Sequence, residues 1–171
     1  MNKIYNDNDY LNIVNDILYN EDFKKIDNNI HHGLSRLDHS LRVSYYSYKI
    51  SKFMSLNYKE TARAGLLHDF FMTGELSKKE QRISAFVHPK KALENSNKIY
   101  SLSNREKNII EAHMFPLVIN KIPKYKESWL VSGVDKIVAL YEFGFSYGTK
   151  AFAKIPNAYA ISLLLLLRLG L

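Results

Sequence analysis

The chain has 171 residues, of which 46% are hydrophobic and 13% aromatic, so it can bury one sizeable core of single-domain length. It contains no cysteine, which excludes a disulfide framework, a thiolate metal site and a cysteine nucleophile. The net charge of +7 favours an anionic partner, but the lysines are scattered along the chain. This distribution disfavours nucleic acid and fits a small molecule that carries phosphate.

The two ends of the sequence indicate a cytoplasmic protein. Residues 1–10 are polar and lack the apolar segment of a secretion signal. Residues 160–171 are apolar, but they are too few to span a bilayer and include Arg168. We therefore expect a C-terminal helix over about residues 157–169 that docks on the core or on a second subunit. The second case would give a homodimer, and attachment to a membrane surface is the alternative.

The first two predicted helices follow from capping residues and apolar spacing. Asp7 or Asn8 can begin a helix over about residues 8–20. A longer helix is predicted over about residues 35–53. Its apolar residues recur at intervals of three and four, as on a buried face: Leu37, Leu41, Tyr45 and Tyr48.

The later helices are marked by caps and by one proline. Asn57, with Glu60 three residues on, predicts a helix that runs into His68, and Ser103 with Glu106 predicts one that reaches His113. Pro89 predicts the first turn of another helix and leaves His88 at or just before its start. A buried helix is predicted from about residue 128. Because alternating strand patterns are absent, the predicted fold class is all-α, with a single domain over residues 1–171.

Several polar residues occur where a buried core is predicted. Four of the six histidines, and one aspartate, have apolar neighbours in or beside predicted helices: His39, His68, His88, His113 and Asp135. Each alone fits a hydrogen-bonded core residue, but five such sites in one small domain suggest a shared partner. Burial of these groups costs several kcal/mol unless they are paired or bind metal. Imidazole and carboxylate together suit Zn, Fe, Mn or a related ion. His31 and His32, which precede Gly33, are interpreted as a solvated surface pair.

The ordered series His39, His68–Asp69, His88, His113 and Asp135 resembles the H…HD…H…H…D ligand pattern of the HD-domain metal-dependent phosphohydrolase superfamily, in its small single-domain bacterial form. The resemblance covers about residues 34–143. It implies that His39, His68, Asp69 and Asp135 bind one divalent ion, and that Asp69 bridges to a second ion bound by His88 and His113. The identity of the ions (Fe, Mn, Zn or Mg) is left open.

The same resemblance implies a reaction. It predicts hydrolysis of a phosphate ester or anhydride, in particular of a nucleotide, with His68 and Asp69 at the catalytic centre. Two close divalent ions would produce a hydroxide nucleophile from water near neutral pH and would bind the phosphoryl oxygens. The number of additional histidines resembles the di-iron HD hydrolases that cleave dinucleoside tetraphosphates, a ligand count that several branches share. A catalytically silent module that senses nucleotides or binds a partner is the alternative function.

Cationic residues near the predicted ligands are candidates for substrate binding. Arg36 and Arg42 lie three residues on either side of His39, on the same helical face, although a solvated surface position is an equal alternative for each. Lys90 follows His88 at the predicted start of a helix, where exposed amides favour anions. After the His68–Asp69 pair, many relatives carry a glycine and a basic residue within a few positions. Here the sequence continues with Phe70 and Phe71, which we expect in the core.

Overall fold

The computed structural model describes residues 2–28, 30–31 and 34–146, which are mainly helical. The helices are α1 (Asn2–Tyr5), α2 (Asn8–Leu18), α3 (Glu21–Lys24), α4 (Arg36–Phe53), α5 (Tyr58–Leu67), α6 (Lys78–Arg82), α7 (Ser84–Ile99), α8 (Asn104–Ala112) and α9 (Lys126–Ser146), with short 3-10 helices at Lys25–Asn28 and Thr73–Glu75. The all-α prediction is confirmed.

One short strand pair was not predicted. Strands β1 (Ile30–His31) and β2 (Leu34–Ser35) pair antiparallel, with Ile30 opposite Ser35 and His31 opposite Leu34. Two residues per strand form no layer of the core, so the pair fixes only the path of the chain into α4.

The predicted capping residues begin their helices as expected. The side chains of Asp7, Asn57 and Ser103 accept hydrogen bonds from backbone amides three residues on, at the starts of α2, α5 and α8. Ser103 forms the complete capping box with Glu106. At Asn57 the backbone N–H donates to Glu127 of α9 instead, so this helix start is also tied to a distant helix.

The position of Pro89 differs from the prediction. Helix α7 begins at Ser84, so Pro89 lies inside the helix and His88 lies in its second turn. Proline has no N–H and cannot make the bond to the carbonyl four residues earlier, which is why it favours a first turn. Helix α7 nevertheless continues through Pro89 without this hydrogen bond. Ile83 precedes it without a side-chain cap, so the true start carries no local sequence signal.

Helix α4 packs against α5 and α9, and α8 packs against α5, α7 and α9. The contact between α4 and α5 is close because Gly65 faces the backbone of Ser44: a Cβ added at Gly65 would lie 3.1 Å from the Ser44 Cα. The Ser44 hydroxyl donates to the carbonyl of Ala62 and accepts from the hydroxyl of Tyr10 on α2. This arrangement fixes the two helices that carry His39 and the His68–Asp69 pair.

Helix α9 is the last described element, and the C-terminal helix predicted over about residues 157–169 lies outside the described residues. Among the residues that are described, no helix combines the length and apolar character needed to cross a membrane.

Candidate metal centre

All six predicted ligands meet between the helices, and each exposes 8% or less of its surface. His39 lies in the first turns of α4, His88 in α7 and Asp135 in the middle of α9. His68 caps the C-terminus of α5, and Asp69 is the next residue along the chain. His113 caps α8 in the same way.

Three of the histidine rings are oriented by backbone carbonyls. Each Nδ1 lies 2.8 Å from a carbonyl oxygen, in the pairs His68–Gly65, His88–Ser84 and His113–Ile110. A carbonyl oxygen only accepts, so each Nδ1 must carry the proton of that hydrogen bond. In a neutral ring the Nε2 atom then carries no proton and offers its lone pair, which is the form in which histidine binds metal.

Asp69 lies between these Nε2 atoms. Its Oδ1 is 3.1 Å from His88 Nε2 and 3.7 Å from His113 Nε2, whereas its Oδ2 is 3.9 Å from His68 Nε2. The two oxygens of one carboxylate therefore face different histidines. This is the position that a carboxylate shared by two ions requires.

Asp135 approaches the other side of the cluster. Its Oδ1 lies 3.0 Å from His39 Nε2 and 3.6 Å from His68 Nε2. His39, His68 and Asp135 thus meet beside Asp69.

The donor set fits divalent ions. Ligand atoms lie within 4.8 Å of one another in three groups: His39, His68, Asp69; His68, His113, Asp135; and Asp69, His88, His113. His68 Nε2 and Asp69 Oδ1 are buried and make no hydrogen bond to any part of the chain that is described. Buried polar atoms without a hydrogen bond are costly, and a metal ion would satisfy both.

The pKa values of the site follow from burial and mutual charge. Burial would raise the pKa of Asp69, but His68 and His88 lower it well below its usual range. Burial likewise opposes ionisation of Asp135, and the neighbouring His39 and His68 lower its pKa. Burial and the charges of neighbouring histidines lower the pKa of His113 to about 3, so this ring is neutral near pH 7. Ionised carboxylates and a neutral imidazole are the forms that bind metal.

Sequence reasoning missed Glu142, which completes the environment of His39. Its carboxylate is fully buried, and its Oε2 lies 2.8 Å from His39 Nδ1. Its Oε1 accepts a hydrogen bond of 3.3 Å from Arg42 Nη1. The available signal was the spacing from Asp135: seven residues are about two helical turns, so both carboxylates lie on one face of α9.

The three cations predicted to bind substrate occupy different environments. Arg36 is buried, donates to the carbonyl of Phe71 and lies over its ring at 3.8 Å, and this ring in turn stacks on His88. Arg42 points to Glu142 instead. Lys90 lies inside α7, not at its start, with 79% of its side chain exposed and Glu94 3.8 Å away. The amide argument for Lys90 was therefore wrong, and its substrate role stays a prediction.

Lys136, next to Asp135, contacts the backbone of His113 at the end of α8. Its Nζ donates to the carbonyl of His113 and to the carbonyl and hydroxyl of Ser132, and the Ser132 hydroxyl also bonds the His113 carbonyl. A cation at the end of α8 satisfies carbonyls that have no partner within the helix. These contacts hold His113 at the C-terminus of α8.

Comparison with protein families gives one match, and it covers the residues that form the centre. A family model described as HD domain matches residues 36–140, which is more than half of the chain. No curated protein and no solved structure matches the chain. The matched range begins at Arg36, at the start of α4, and contains all six residues whose ligand atoms meet between the helices. The chain belongs to the HD domain family, which is part of the metal-dependent phosphohydrolase superfamily.

Proposed function

We propose that this protein hydrolyses a phosphate ester or anhydride of a nucleotide at a centre of two divalent ions. His39, His68, Asp69 and Asp135 would bind the first ion. Asp69, His88 and His113 would bind the second.

The proposal rests mainly on the orientation of the Asp69 carboxylate, whose two oxygens face different histidines. Its Oδ1 faces His88 and His113, whereas its Oδ2 faces His68. A site for one ion would need neither the second pair of histidines nor a carboxylate directed to both sides. The close approach of His88 Nε2 and His113 Nε2, at 2.8 Å, supports the same assignment, because two such atoms can share only a cation or a proton.

When bound, the two ions would polarise the phosphoryl oxygens and activate a water as the nucleophile. The chain supplies the conditions for this chemistry. Asp69 and Asp135 stay ionised because neighbouring histidines lower their pKa values. The backbone carbonyls of Gly65 and Ile110 fix the rings of His68 and His113, so the ligand atoms need little rearrangement.

Arg36 is the cation that best fits the substrate phosphate. Its Nε is buried and makes no hydrogen bond to a described residue. The Arg36 guanidinium lies over the Phe71 ring, which stacks on His88. Burial lowers the pKa of Arg36, and the Asp69 carboxylate opposes this shift. A guanidinium binds phosphate oxygens through charge-assisted hydrogen bonds. The preference for a nucleotide rests on the resemblance to HD phosphohydrolases.

The experiment combines metal analysis with hydrolysis. Protein purified without a histidine tag is expected to hold about two equivalents of a transition metal. Hydrolysis of a panel of nucleoside mono-, di- and triphosphates and dinucleoside polyphosphates should stop with chelator and return with Mn or Fe. Asp69→Ala should lose both metal and activity, whereas Asp16→Ala, at a half-exposed aspartate paired with Arg63, should keep both.

Each other outcome changes the proposal in a defined way. One equivalent of metal with full activity would contradict the second ion and return His88 and His113 to substrate binding or structure. Two equivalents without hydrolysis of any substrate in the panel would favour the silent nucleotide-sensing or partner-binding module. No metal, even after reconstitution with Mn or Fe, would overturn the centre.

A further inference from the structure

We infer that Glu142 is a positioning residue for the metal centre: it holds the His39 ring in the orientation that binds the first ion, and Arg42 in turn holds Glu142. The inference rests on the proposed centre, and it gives Arg42 a role other than the substrate contact predicted from the sequence.

The geometry places His39 between two carboxylates of one helix. Its Nε2 lies 3.0 Å from Asp135 Oδ1, and its Nδ1 lies 2.8 Å from Glu142 Oε2. Seven residues separate Asp135 and Glu142, so both project from the same face of α9, about two turns apart. The ring therefore has a single orientation in which both nitrogens are satisfied.

The chemistry assigns different roles to the two carboxylates. An ionised Glu142 only accepts, so the Nδ1–H of His39 donates to it, and the Nε2 lone pair then faces Asp135, where the first ion would lie. A carboxylate behind a metal-binding histidine fixes the tautomer and increases the basicity of the ring. The other three histidines receive this support from backbone carbonyls. Among the four, His39 is the one whose Nδ1 is seen to contact a carboxylate in the described region.

Arg42 makes the buried carboxylate tolerable. Glu142 is fully buried, and an isolated carboxylate there would be strongly unfavourable. The Arg42 guanidinium, one turn after His39 on α4, lies 3.3 Å from Glu142 Oε1. The chain His39–Glu142–Arg42 thus begins and ends on α4 and passes through α9.

Glu127 provides a matched control on the same helix. It is also buried and lies 3.4 Å from the guanidinium of Arg105, but its other contact is the backbone of Asn57. It precedes Asp135 by eight residues, or about 12 Å along the helix axis. Glu127→Gln therefore removes a buried carboxylate with an arginine partner and leaves the ligands untouched.

The test is titration of chelator-treated protein with Mn(II), with free Mn(II) read by its electron paramagnetic resonance signal. Glu142→Gln should lower the affinity for the first ion tenfold to a hundredfold, the range typical of residues that support metal ligands. Binding at His88 and His113 should be less affected. Arg42→Gln should lower the affinity for the same ion several-fold. Glu127→Gln should bind as wild type does. Circular dichroism of each metal-free variant verifies the fold.

The outcomes separate the two levels of inference. Wild-type protein that binds no Mn(II) would overturn the centre and, with it, the role of Glu142. Normal wild-type binding with unchanged affinity in Glu142→Gln would overturn the role of Glu142 alone, as would an equal loss in Glu127→Gln. If Glu142→Gln does not fold, Arg42→Gln decides the matter: weaker binding of the first ion supports the inference, and wild-type affinity contradicts it.

Discussion

The Nε2 atoms of His88 and His113 lie 2.8 Å apart, while the Nδ1 atom of each ring contacts a backbone carbonyl of its own helix. Two imidazoles oriented in this way cannot both be neutral without opposing their lone pairs. Burial lowers the pKa of His88, but the carboxylate of Asp69 outweighs burial and raises the pKa above its usual value, so the metal-free chain favours a proton at this point. A divalent ion would replace that proton.

The first prediction concerns these two histidines. His88→Ala and His113→Ala should each remove mainly the second ion, because the ligands of the first ion are unchanged. Metal content should fall from about two equivalents to about one. His31→Ala, outside the predicted ligand set, is the control and should keep the wild-type content. If His31→Ala lost as much metal as the other variants, the ligand assignment would be wrong.

The second prediction is a pH dependence of the metal-free protein. Burial lowers the pKa of His39, but hydrogen bonds to Asp135 and Glu142 raise it to about 10. A raised pKa means that protonated His39 stabilises the fold fully below the ordinary value of about 6.5, and that this contribution is lost as pH rises toward 10. The loss is at most about 1.4 kcal/mol per pH unit.

Urea unfolding of wild type and His39→Gln in chelator, at pH 7 and pH 9.5, measures this contribution. The difference in free energy of unfolding between the two proteins should narrow at the higher pH, since titration of all other groups largely cancels in the difference. A gap that stays constant or widens with pH would contradict the assignment of a proton to His39.

The candidate polar core residues and the helix starts could be predicted from the sequence for local reasons. A histidine or aspartate among apolar neighbours, as at His68 and Asp135, stands out because an unpaired polar group is costly in a core. Capping residues such as Asp7 and Ser103 also act within three positions of the chain. The structure confirms these helix starts and brings the predicted ligands together.

Other features depend on contacts that a local pattern does not contain. The start of α7 carries no side-chain cap, so the sequence predicts a start at Pro89, although the helix begins five residues earlier. Glu142 occurs in a segment predicted only as buried helix, and its partners on α4 lie about a hundred residues away. The environment of Arg42 could not be predicted for the same reason, because the distant Glu142 determines where its guanidinium points.

The third prediction tests Arg36 as the phosphate-binding cation. Arg36→Lys keeps a positive charge but loses the planar group that lies over Phe71 and bonds its carbonyl. We expect kcat/KM to fall roughly 10- to 100-fold, the value of a lost charge-assisted hydrogen bond, with metal content unchanged. Arg63→Lys, at an arginine paired with Asp16, is the control. If kcat/KM is unchanged in Arg36→Lys, Arg36 does not bind the substrate phosphate and its role is packing against Phe71.

The last prediction concerns the contact between α4 and α5. In Gly65→Ala the new Cβ would lie 3.1 Å from the Cα of Ser44, a backbone atom in the middle of α4 that can move only with its helix. Alanine is the better helix former by about 1 kcal/mol, but overpacking typically costs about 1–3 kcal/mol, so we expect net destabilisation in urea. Gly74→Ala, where nothing lies within 4 Å of the added Cβ, should stay within about 0.5 kcal/mol of wild type.

The same substitution should also affect the metal site, because the carbonyl of Gly65 orients His68 through its Nδ1. Movement of α5 away from α4 would separate His68 from His39, so metal affinity should fall together with stability. A stable Gly65→Ala protein with full metal content would show that α4 yields to the added methyl group, and that close approach at Gly65 is not required for the centre.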